Sequence, residues 1–187
     1  MTAGTKRDGA NRAAVATTRI ESLIRAIPDF PIPGILFRDI TPLLADREGF
    51  RDVIGLFVEK YRGAGVEAVV GIEARGYMIG APVAHELGAG FVPVRKPGKL
   101  PGKKYAEEYA LEYGTNTLEI HADAVGHGQR VLVVDDLLAT GGTIAATLRL
   151  LRKLGADVVG CAVLIELDAL KGREALPGVD LTSFIRY

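Results

Sequence analysis

Two adjacent carboxylates followed by a glycine-rich loop are the groups in this chain whose types and spacing point most clearly to chemistry. Asp135 and Asp136 end an aliphatic run, and the loop Thr140–Thr143 (Thr-Gly-Gly-Thr) follows shortly after them. Backbone N–H groups of such a loop bind anions when a helix begins there, and threonine hydroxyls donate as well. Carboxylates beside the loop can accept hydrogen bonds from vicinal hydroxyl groups. The pattern therefore predicts a site for a sugar phosphate.

A strand and a helix must flank this loop to position it. The four aliphatic residues Val131–Val134 are typical of a buried parallel strand. Ile144, Leu148 and Leu151 recur on one face of a helix that we predict from about Thr143 to Leu154. Open α/β sheets bind their ligands at the C-terminal ends of parallel strands. The acidic pair and the loop would lie at such an end.

Strands and helices alternate along the rest of the chain. Short apolar runs predict strands at Ala68–Ile72, Phe91–Val94, Arg130–Val134 and Val158–Ile165, and a hairpin over Tyr105–Ile120 that turns near Gly114-Thr115-Asn116. Helical periodicity predicts helices over Ile20–Ile27, ended by Pro28, over Phe50–Tyr61, and from about Gly76 to Leu87. This alternation indicates an α/β fold with a doubly wound, mainly parallel sheet.

Composition and charge exclude several classes of protein. The 187 residues carry 23 basic and 23 acidic side chains, which gives no global attraction to nucleic acid or to a membrane. No apolar run is long enough to span a bilayer, and the N-terminus lacks the apolar core of a signal peptide. Cys161 is the only cysteine, so we expect no intrachain disulfide and a cytoplasmic location. Residues 1–18 are expected to form a disordered tail before a single domain over residues 19–187.

A second strand–turn–helix pattern has a cation in its turn. Arg75 follows the predicted strand ending at Ile72, in the segment Glu73-Ala74-Arg75-Gly76. After the next strand, the basic stretch Arg95–Lys104 contains two Pro-Gly pairs. Such a loop is expected to be mobile and able to fold over a polyanion. The two segments add positive charge near the predicted phosphate loop.

Five parts of the sequence carry a resemblance to a known family. The acidic pair with its Ala-Thr-Gly-Gly-Thr loop resembles the phosphoribosyl-pyrophosphate (PRPP) signature of type I phosphoribosyltransferases, and the turn around Arg75 resembles their pyrophosphate loop. The basic stretch is similar to the lid of the adenine-specific members, and the Pro-rich segment Asp29–Asp39 is similar to their adenine-binding loop. Leu164–Leu167 and Leu170–Arg173 resemble their C-terminal signature. The resemblance covers roughly Ile20–Tyr187.

The resemblance implies that phosphoribose passes from PRPP to N9 of adenine, which gives AMP and pyrophosphate in purine salvage. It implies catalytic roles for Arg75, which holds the leaving group, and for Glu112, which handles a proton near the purine. PRPP would contact Glu73, Ala74, Arg75, Gly76, Arg95, Lys96, Lys99, Asp135, Asp136, Ala139, Thr140, Gly141, Gly142 and Thr143. Adenine would contact Leu36, Phe37, Arg38 and Leu167.

A cofactor and an assembly also follow from the resemblance. It implies a Mg²⁺ ion that bridges pyrophosphate and ribose oxygens and is brought largely with PRPP. Since the sequence has no dense acidic cluster, we assign no residue as a metal ligand of the protein itself. The family further implies a homodimer, a small hood, and a flexible lid that approaches a neighbouring site. Neither nucleic acid nor a membrane is an expected partner.

Two other interpretations fit parts of the sequence. Enzymes for guanine, xanthine or orotate would share Asp135–Thr143 but should not share the Asp29–Asp39 loop. A regulatory domain that binds PRPP without reacting would also share the phosphate loop. Such proteins usually carry a DNA-binding domain, and the segment before Ile20 is too short for a winged helix-turn-helix. The presence of Arg75 and the basic stretch favours an enzyme.

Overall fold

The computed structural model describes residues 14–110 and 115–187, and the chain divides into two compact units, one up to Leu56 and one from Phe57 onward. Of the tail predicted over residues 1–18, residues 1–13 lie outside the described residues. From residue 14 to residue 23 the chain is helical (α1), so this helix begins before Ile20, where the periodicity placed it. A single domain over residues 19–187 stays a prediction.

The first unit contains short helices and a two-stranded antiparallel sheet. After α1 come β1 (Arg25–Ile27), β2 (Phe37–Asp39), α2 (Thr41–Ala45) and the beginning of α3 (Arg47–Tyr61). The helix predicted over Ile20–Ile27 was wrong in its second half, because residues 25–27 form β1 and pair with β2. The end of the Pro-rich segment Asp29–Asp39 is β2 itself. Backbone pairing with a partner strand outweighs the local helical pattern here.

The second unit is built on a five-stranded parallel sheet. In spatial order its strands are β4 (Gly90–Val94), β3 (Ala68–Ile72), β7 (Arg130–Leu138), β8 (Asp157–Glu166) and β9 (Leu181–Arg186). All neighbouring pairs are parallel. The four predicted strands are confirmed. The strand β9 was not predicted, because Thr182 and Ser183 interrupt its apolar pattern.

Two helices and a hairpin accompany this sheet. The helix α4 (Arg75–Leu87) packs against β3 and β7, while α5 (Gly142–Leu154) packs against the antiparallel hairpin of β5 (Lys104–Ala110) and β6 (Thr115–His121). The predicted α/β class with a mainly parallel sheet is therefore confirmed. The hairpin connection, residues 111–114, lies outside the described residues, and Thr115 and Asn116 belong to β6. The small hood and the flexible lid stay predictions.

Burial along the strands explains how the sheet presents polar groups at one edge. Every residue of β3 is buried, and in β7 burial runs from Val131 through Asp136. Continuous burial is what a parallel sheet covered on both faces requires. The two carboxylates extend the buried strand at its C-terminal end.

No helix in the described part of the chain has the length and apolar character to cross a bilayer.

The strand order reverses at β3. The next strand, β4, lies on one side of β3, whereas β7 lies on the other side. Open α/β sheets bind ligands in the crevice that such a reversal leaves at the carboxyl ends of the strands. The loops that follow β3 and β7 are the two that carry the motifs.

Candidate active site

A cavity of about 240 Å³ is lined by the loops that follow β3 and β7. The predicted PRPP-binding residues in its lining are Glu73, Ala74, Arg75, Lys96, Asp135, Asp136, Ala139, Thr140, Gly141 and Thr143. The structure thus gathers residues from distant parts of the sequence around one space. Four other predicted residues, Gly76, Arg95, Lys99 and Gly142, do not line this cavity, and their contact with PRPP stays a prediction.

The glycine-rich loop forms the N-terminus of α5. The helix begins at Gly142, and Gly141 before it has a φ of +83°, a left-handed conformation that glycine adopts without steric cost. Among the described residues no side chain caps this helix end, and its first turn contains no acidic residue. The N–H groups of the first turn have no intrahelical partner, so they can bind an anion.

The back of this loop touches another stretch of backbone. A Cβ atom at Gly141 would lie 2.4 Å from the carbonyl oxygen of Gly172, and a Cβ atom at Gly172 would lie 2.3 Å from the carbonyl oxygen of Ala139. Both distances are too short for any side chain. The short 3₁₀ turn Gly172–Ala175 therefore supports the phosphate loop from behind, backbone against backbone.

The acidic pair combines hydrogen bonding with charge pairing. The carboxylate of Asp135 accepts a hydrogen bond from the backbone N–H of Asp136 at 2.9 Å. Arg75 Nε lies 2.9 Å from Asp136 Oδ2, yet no donor among the described residues has hydrogen-bond geometry at that buried oxygen. The contact between Arg75 and Asp136 is therefore mainly electrostatic.

Burial controls the ionisation of both carboxylates. Burial raises the pKa of Asp135 well above its ordinary value, and the neighbouring charge of Asp136 raises it further. Burial also raises the pKa of Asp136, although the Arg75 guanidinium acts in the opposite direction. An ionised carboxylate is costly in such a place unless hydrogen-bond donors or positive charge surround it. Hydroxyl groups of a bound sugar are donors of this kind.

Gly76 allows Arg75 to approach the acidic pair. A Cβ atom at Gly76 would lie 2.8 Å from Asp135 Oδ1 and 3.0 Å from the carbonyl oxygen of Val134. Only a glycine lets the first turn of α4 come this close to the end of β7. Gly76 therefore underlies the site, and its neighbour Arg75 lines the cavity.

The carboxylate of Glu73 holds the basic stretch at the cavity. Arg95 Nε donates to Oε2 at 3.3 Å, the backbone N–H of Lys96 donates to the same oxygen at 3.0 Å, and Lys99 Nζ donates to Oε1. Burial alone would raise the pKa of Glu73, but these hydrogen bonds and the charges of Lys99 and Arg95 outweigh burial and lower it. An ionised Glu73 repels a phosphate, so it fits a role in arranging these cations.

Replacing Glu73 by glutamine is expected to raise the KM for PRPP about tenfold, because the neutral side chain holds Arg95 and Lys99 less firmly. The KM for adenine, the expected second substrate, should stay unchanged. Initial rates at varied PRPP concentration measure the effect. Glu67→Gln is the matched control, since Glu67 precedes β3 and binds the backbone N–H of Arg130 at 2.8 Å. A KM for PRPP that falls in Glu73→Gln would show that Glu73 competes for the cations.

A second carboxylate holds the other half of the basic stretch. Glu119 is buried, and its Oε2 accepts a hydrogen bond from the backbone N–H of Gly98 at 3.1 Å and lies 3.0 Å from Lys104 Nζ. Lys104, for which the sequence indicates no role, thus helps to fix this stretch. The predicted mobility of the stretch remains a prediction, and opening it requires the release of Glu73 and Glu119.

Five lining residues were not predicted as site residues. Leu137, Leu138 and Ile144 belong to the strand and helix that flank the glycine-rich loop. Tyr109 of β5 and Leu118 of β6 face the cavity from the hairpin. The alternating pattern around Tyr109 and Leu118 predicted the two strands, but it did not indicate which face of the hairpin would line the cavity. The predicted catalytic residue Glu112 lies between these strands, outside the described residues.

The residues predicted to bind adenine lie in both units. Leu36, Phe37 and Arg38 belong to the first unit, at the start of β2. Leu167 belongs to the second unit, where it follows β8 and donates its backbone N–H to the carbonyl oxygen of Leu138 at 3.0 Å. Leu167 thus adjoins the end of the strand that carries the acidic pair.

Internal hydrogen bonds close the Pro-rich segment. The backbone N–H of Phe30 donates to the carbonyl oxygen of Ile35 at 3.2 Å, and that of Gly34 donates to the Asp29 carboxylate at 2.7 Å. The ring of Phe30 packs edge-on against that of Phe37, with centroids 5.1 Å apart. The segment is therefore fixed by its own contacts, and its prolines restrict the backbone further.

The described residues offer few ligands for a metal ion. No group of three or more His, Cys, Asp or Glu side chains suited to a metal occurs in the described ranges. Mg²⁺ commonly keeps several waters and binds through one or two carboxylates and substrate phosphates. The acidic pair fits such a partial role.

The geometry fits a class of protein that binds a phosphorylated sugar with a further anionic group beside the sugar. Residues 39–183 match the family of the phosphoribosyl transferase domain. The adenine phosphoribosyltransferase of Acaryochloris marina is 60% identical over 168 residues, which are 90% of this chain and 99% of that protein. That of Acidobacterium capsulatum is 55% identical over 168 residues, 90% and 93% of the two chains.

Solved structures agree. The crystal structure of adenine phosphoribosyltransferase from Thermoanaerobacter pseudethanolicus is 51% identical, covers 91% of this chain and 99% of its own, and has a TM-score of 0.89. The Saccharomyces cerevisiae enzyme, complexed with an imino-altritol bisphosphate and adenine, is 36% identical over 91% and 99% of the two chains, with a TM-score of 0.88. The chain therefore belongs to the phosphoribosyltransferase family and, within it, to the adenine phosphoribosyltransferases.

Proposed function

We propose that this protein transfers the phosphoribosyl group of PRPP to N9 of adenine, which releases pyrophosphate and gives AMP for purine salvage. One observation carries the proposal. Two strand–loop–helix motifs meet around one cavity at the carboxyl ends of β3 and β7, with the buried acidic pair in its lining. The relatives support adenine as the acceptor, since the yeast structure holds adenine together with a bisphosphate.

Each part of PRPP has a matching part of the site. The 5′-phosphate binds the N–H groups at the start of α5, within Thr140–Thr143. Asp135 and Asp136 accept hydrogen bonds from the ribose hydroxyls, which relieves the cost of their burial. The pyrophosphate lies against Arg75, and the basic stretch that Glu73 holds supplies further positive charge.

The chemical step needs positive charge on one side of the sugar. The bond from C1′ to the pyrophosphate oxygen breaks with its electron pair leaving on pyrophosphate, and N9 of adenine forms the new bond to C1′ and gives up its proton. The transition state resembles an oxocarbenium ion, as in glycoside cleavage. Arg75 stabilises the charge that develops on the leaving group. Glu112 is our candidate for the proton near the purine.

The same chemistry involves Mg²⁺, which we propose arrives with PRPP. When bound, the ion would neutralise part of the pyrophosphate charge and so make pyrophosphate a better leaving group. Asp135 and Asp136 are the residues that would stand beside it. Their small number supports an ion that takes most of its ligands from the substrate and from water.

Base recognition is assigned to the Pro-rich segment. Backbone groups of Leu36 and Arg38 read the edge of adenine, and the Phe37 ring stacks on its face. A fixed backbone favours this reading, and the bonds within residues 29–35 support it. Leu167 stays a predicted contact of the base.

Truncation of Phe37 is expected to separate the two substrates. Phe37→Ala should raise the KM for adenine by about 5- to 150-fold, because stacking of a base on an aromatic ring contributes about 1–3 kcal/mol. The KM for PRPP should change little, since the phosphate loops stay intact. Tyr105→Ala is the control, because Tyr105 is an exposed aromatic residue of β5 that lies outside the Pro-rich segment and does not line the cavity. A defect of Phe37→Ala confined to PRPP would contradict the base-site assignment.

Assembly and location extend the proposal. We infer a homodimer from the family resemblance. We also propose a reducing, cytoplasmic location, because Cys161 is the only cysteine in the sequence. Its thiol is buried, and burial raises its pKa to about 12. Such a thiol stays protonated at neutral pH and does not serve as a nucleophile.

The direct experiment mixes purified protein, adenine, PRPP and Mg²⁺ and follows the products by chromatography. AMP and pyrophosphate are expected in equal amounts, and removal of Mg²⁺ with EDTA should stop their formation. Hydrolysis of PRPP without AMP, or binding of PRPP with no product at all, would contradict the proposal. The second result would favour a regulatory domain instead.

A further inference from the structure

An ion pair between the buried Glu166 and the exposed Arg173, outside the cavity, fixes the turn on which the phosphate loop rests. Glu166 ends β8 and is only 3% exposed. Arg173 donates to both of its carboxylate oxygens, from Nε to Oε1 at 2.7 Å and from Nη2 to Oε2 at 2.8 Å. A bidentate pair of this kind determines the orientation of the guanidinium as well as its distance.

Further hydrogen bonds attach the same pair to β9. Arg173 Nη1 donates to the carbonyl oxygen of Leu181 at 3.0 Å, and Nη2 donates to Ser183 Oγ at 3.1 Å. The Ser183 hydroxyl donates in turn to Glu166 Oε2. The hydrogen bond from Arg173 lowers the pKa of Glu166 despite its burial. The pair is therefore ionised at neutral pH and is tied to two strands of the sheet.

The turn transmits this position to the phosphate loop. Arg173 directly follows Gly172, whose backbone touches that of Ala139 and Gly141 at distances that exclude a side chain. The residue before it, Lys171, has a positive φ of 51° and opens the turn. A shift of Arg173 thus shifts Gly172, and a shift of Gly172 moves the loop in front of it.

We propose that the Glu166–Arg173 ion pair is a positioning device for the phosphate loop, which holds the loop N–H groups where the 5′-phosphate of the substrate binds. Neither side chain lines the cavity, so the pair acts through Gly172. The inference rests on the proposed function, in which this loop binds the 5′-phosphate. It predicts a defect in one half of the PRPP site only.

The test compares two ligands that occupy different halves of the site. Calorimetry measures the dissociation constants of ribose 5-phosphate and of magnesium pyrophosphate with the wild type, Glu166→Gln and Arg173→Lys. In Glu166→Gln the constant for ribose 5-phosphate is expected to rise about 10- to 100-fold, because small misplacements of binding groups have effects of this size. The constant for pyrophosphate should stay within about twofold of the wild type. Arg173→Lys keeps the charge but loses the second bond, so its defect should be smaller.

Arg130→Gln is the matched control. Arg130 pairs with Asp157 at 2.9 Å, at the N-terminal ends of β7 and β8. Its loss therefore affects β8 at the end opposite Glu166, without affecting the turn. It should leave both dissociation constants unchanged, whatever its melting temperature.

The outcomes separate the inference from the proposed function. Unchanged binding of ribose 5-phosphate by folded Glu166→Gln would overturn the inference, and so would equal weakening of both ligands. If Glu166→Gln does not fold, Arg173→Lys decides by the same two constants. A wild-type protein that binds neither ligand would overturn the proposed function, and the inference with it.

Discussion

Gly141→Ala is expected to raise the dissociation constant for PRPP about 100-fold or more while the protein stays folded. The added Cβ would meet the carbonyl oxygen of Gly172 at 2.4 Å, in a residue whose φ is +83°. The loop must then move away from Gly172, and its N–H groups leave their positions. Calorimetric titration with PRPP and Mg²⁺ measures the loss.

The control for this variant separates the clash from backbone strain. Gly88 has a φ of +68° at the end of α4, and a Cβ there would meet nothing within 4 Å. Gly88→Ala should therefore lower the free energy of unfolding by about 1–2 kcal/mol without changing PRPP affinity. This is the part of the Gly141→Ala effect that comes from backbone strain and not from the clash. Wild-type affinity in folded Gly141→Ala would refute the assignment of the loop to the 5′-phosphate.

The double variant Asp135→Asn/Asp136→Asn is expected to lower kcat/KM for PRPP about 100-fold or more. Each carboxylate that no longer accepts a ribose hydroxyl loses a charged hydrogen bond, which contributes about 1.5–3 kcal/mol. Asp157→Asn is a control, since Asp157 lies at the far end of β8 and pairs with Arg130. Unchanged kinetics of the double variant would leave Asp135 with its observed bond to the Asp136 N–H as its only role.

The single variant Asp135→Asn should at the same time be more stable than the wild type at neutral pH. Burial raises the pKa of Asp135 in the folded state above the value of about 3.9 in an unfolded chain. Its protonated form therefore stabilises the fold at pH below about 4, and this contribution is lost as pH rises through the folded-state pKa. The gain in melting temperature of Asp135→Asn should grow from pH 4 to pH 7. A gain that shrinks over this range would contradict the burial argument.

Local patterns predicted the part of the site that is built locally. The segment from Val131 to Thr143 has its strand, its carboxylates and its helix start in one continuous sequence, so periodicity and residue type were sufficient. The same holds for the turn that carries Arg75. In both segments the strand, the loop and the start of the helix are continuous in the sequence, and the sheet only places them at the C-terminal ends of its strands.

Other features depend on partners distant in the sequence. The strand β1 exists because Arg25–Ile27 pairs with β2, and no local pattern shows that partner. Glu73 was predicted to contact PRPP, whereas its bonds to the basic stretch are visible only in three dimensions. Gly172 carries no chemical group at all, and its importance follows from the close approach of Ala139 and Gly141. Contacts of this kind leave no periodic signal in a single sequence.

The measurement that tests the proposed function most directly is the catalytic efficiency with a panel of bases, namely adenine, hypoxanthine, guanine, xanthine and orotate, at saturating PRPP and Mg²⁺. Adenine has an exocyclic amine where hypoxanthine has a carbonyl oxygen, so a fixed backbone acceptor near Leu36 and Arg38 would be left without a donor. Sites of this kind discriminate by about 10⁴ or more. We predict kcat/KM for adenine to exceed that for hypoxanthine and guanine by about this factor. Comparable efficiency with hypoxanthine, or turnover of orotate, would contradict the assignment of adenine as the acceptor.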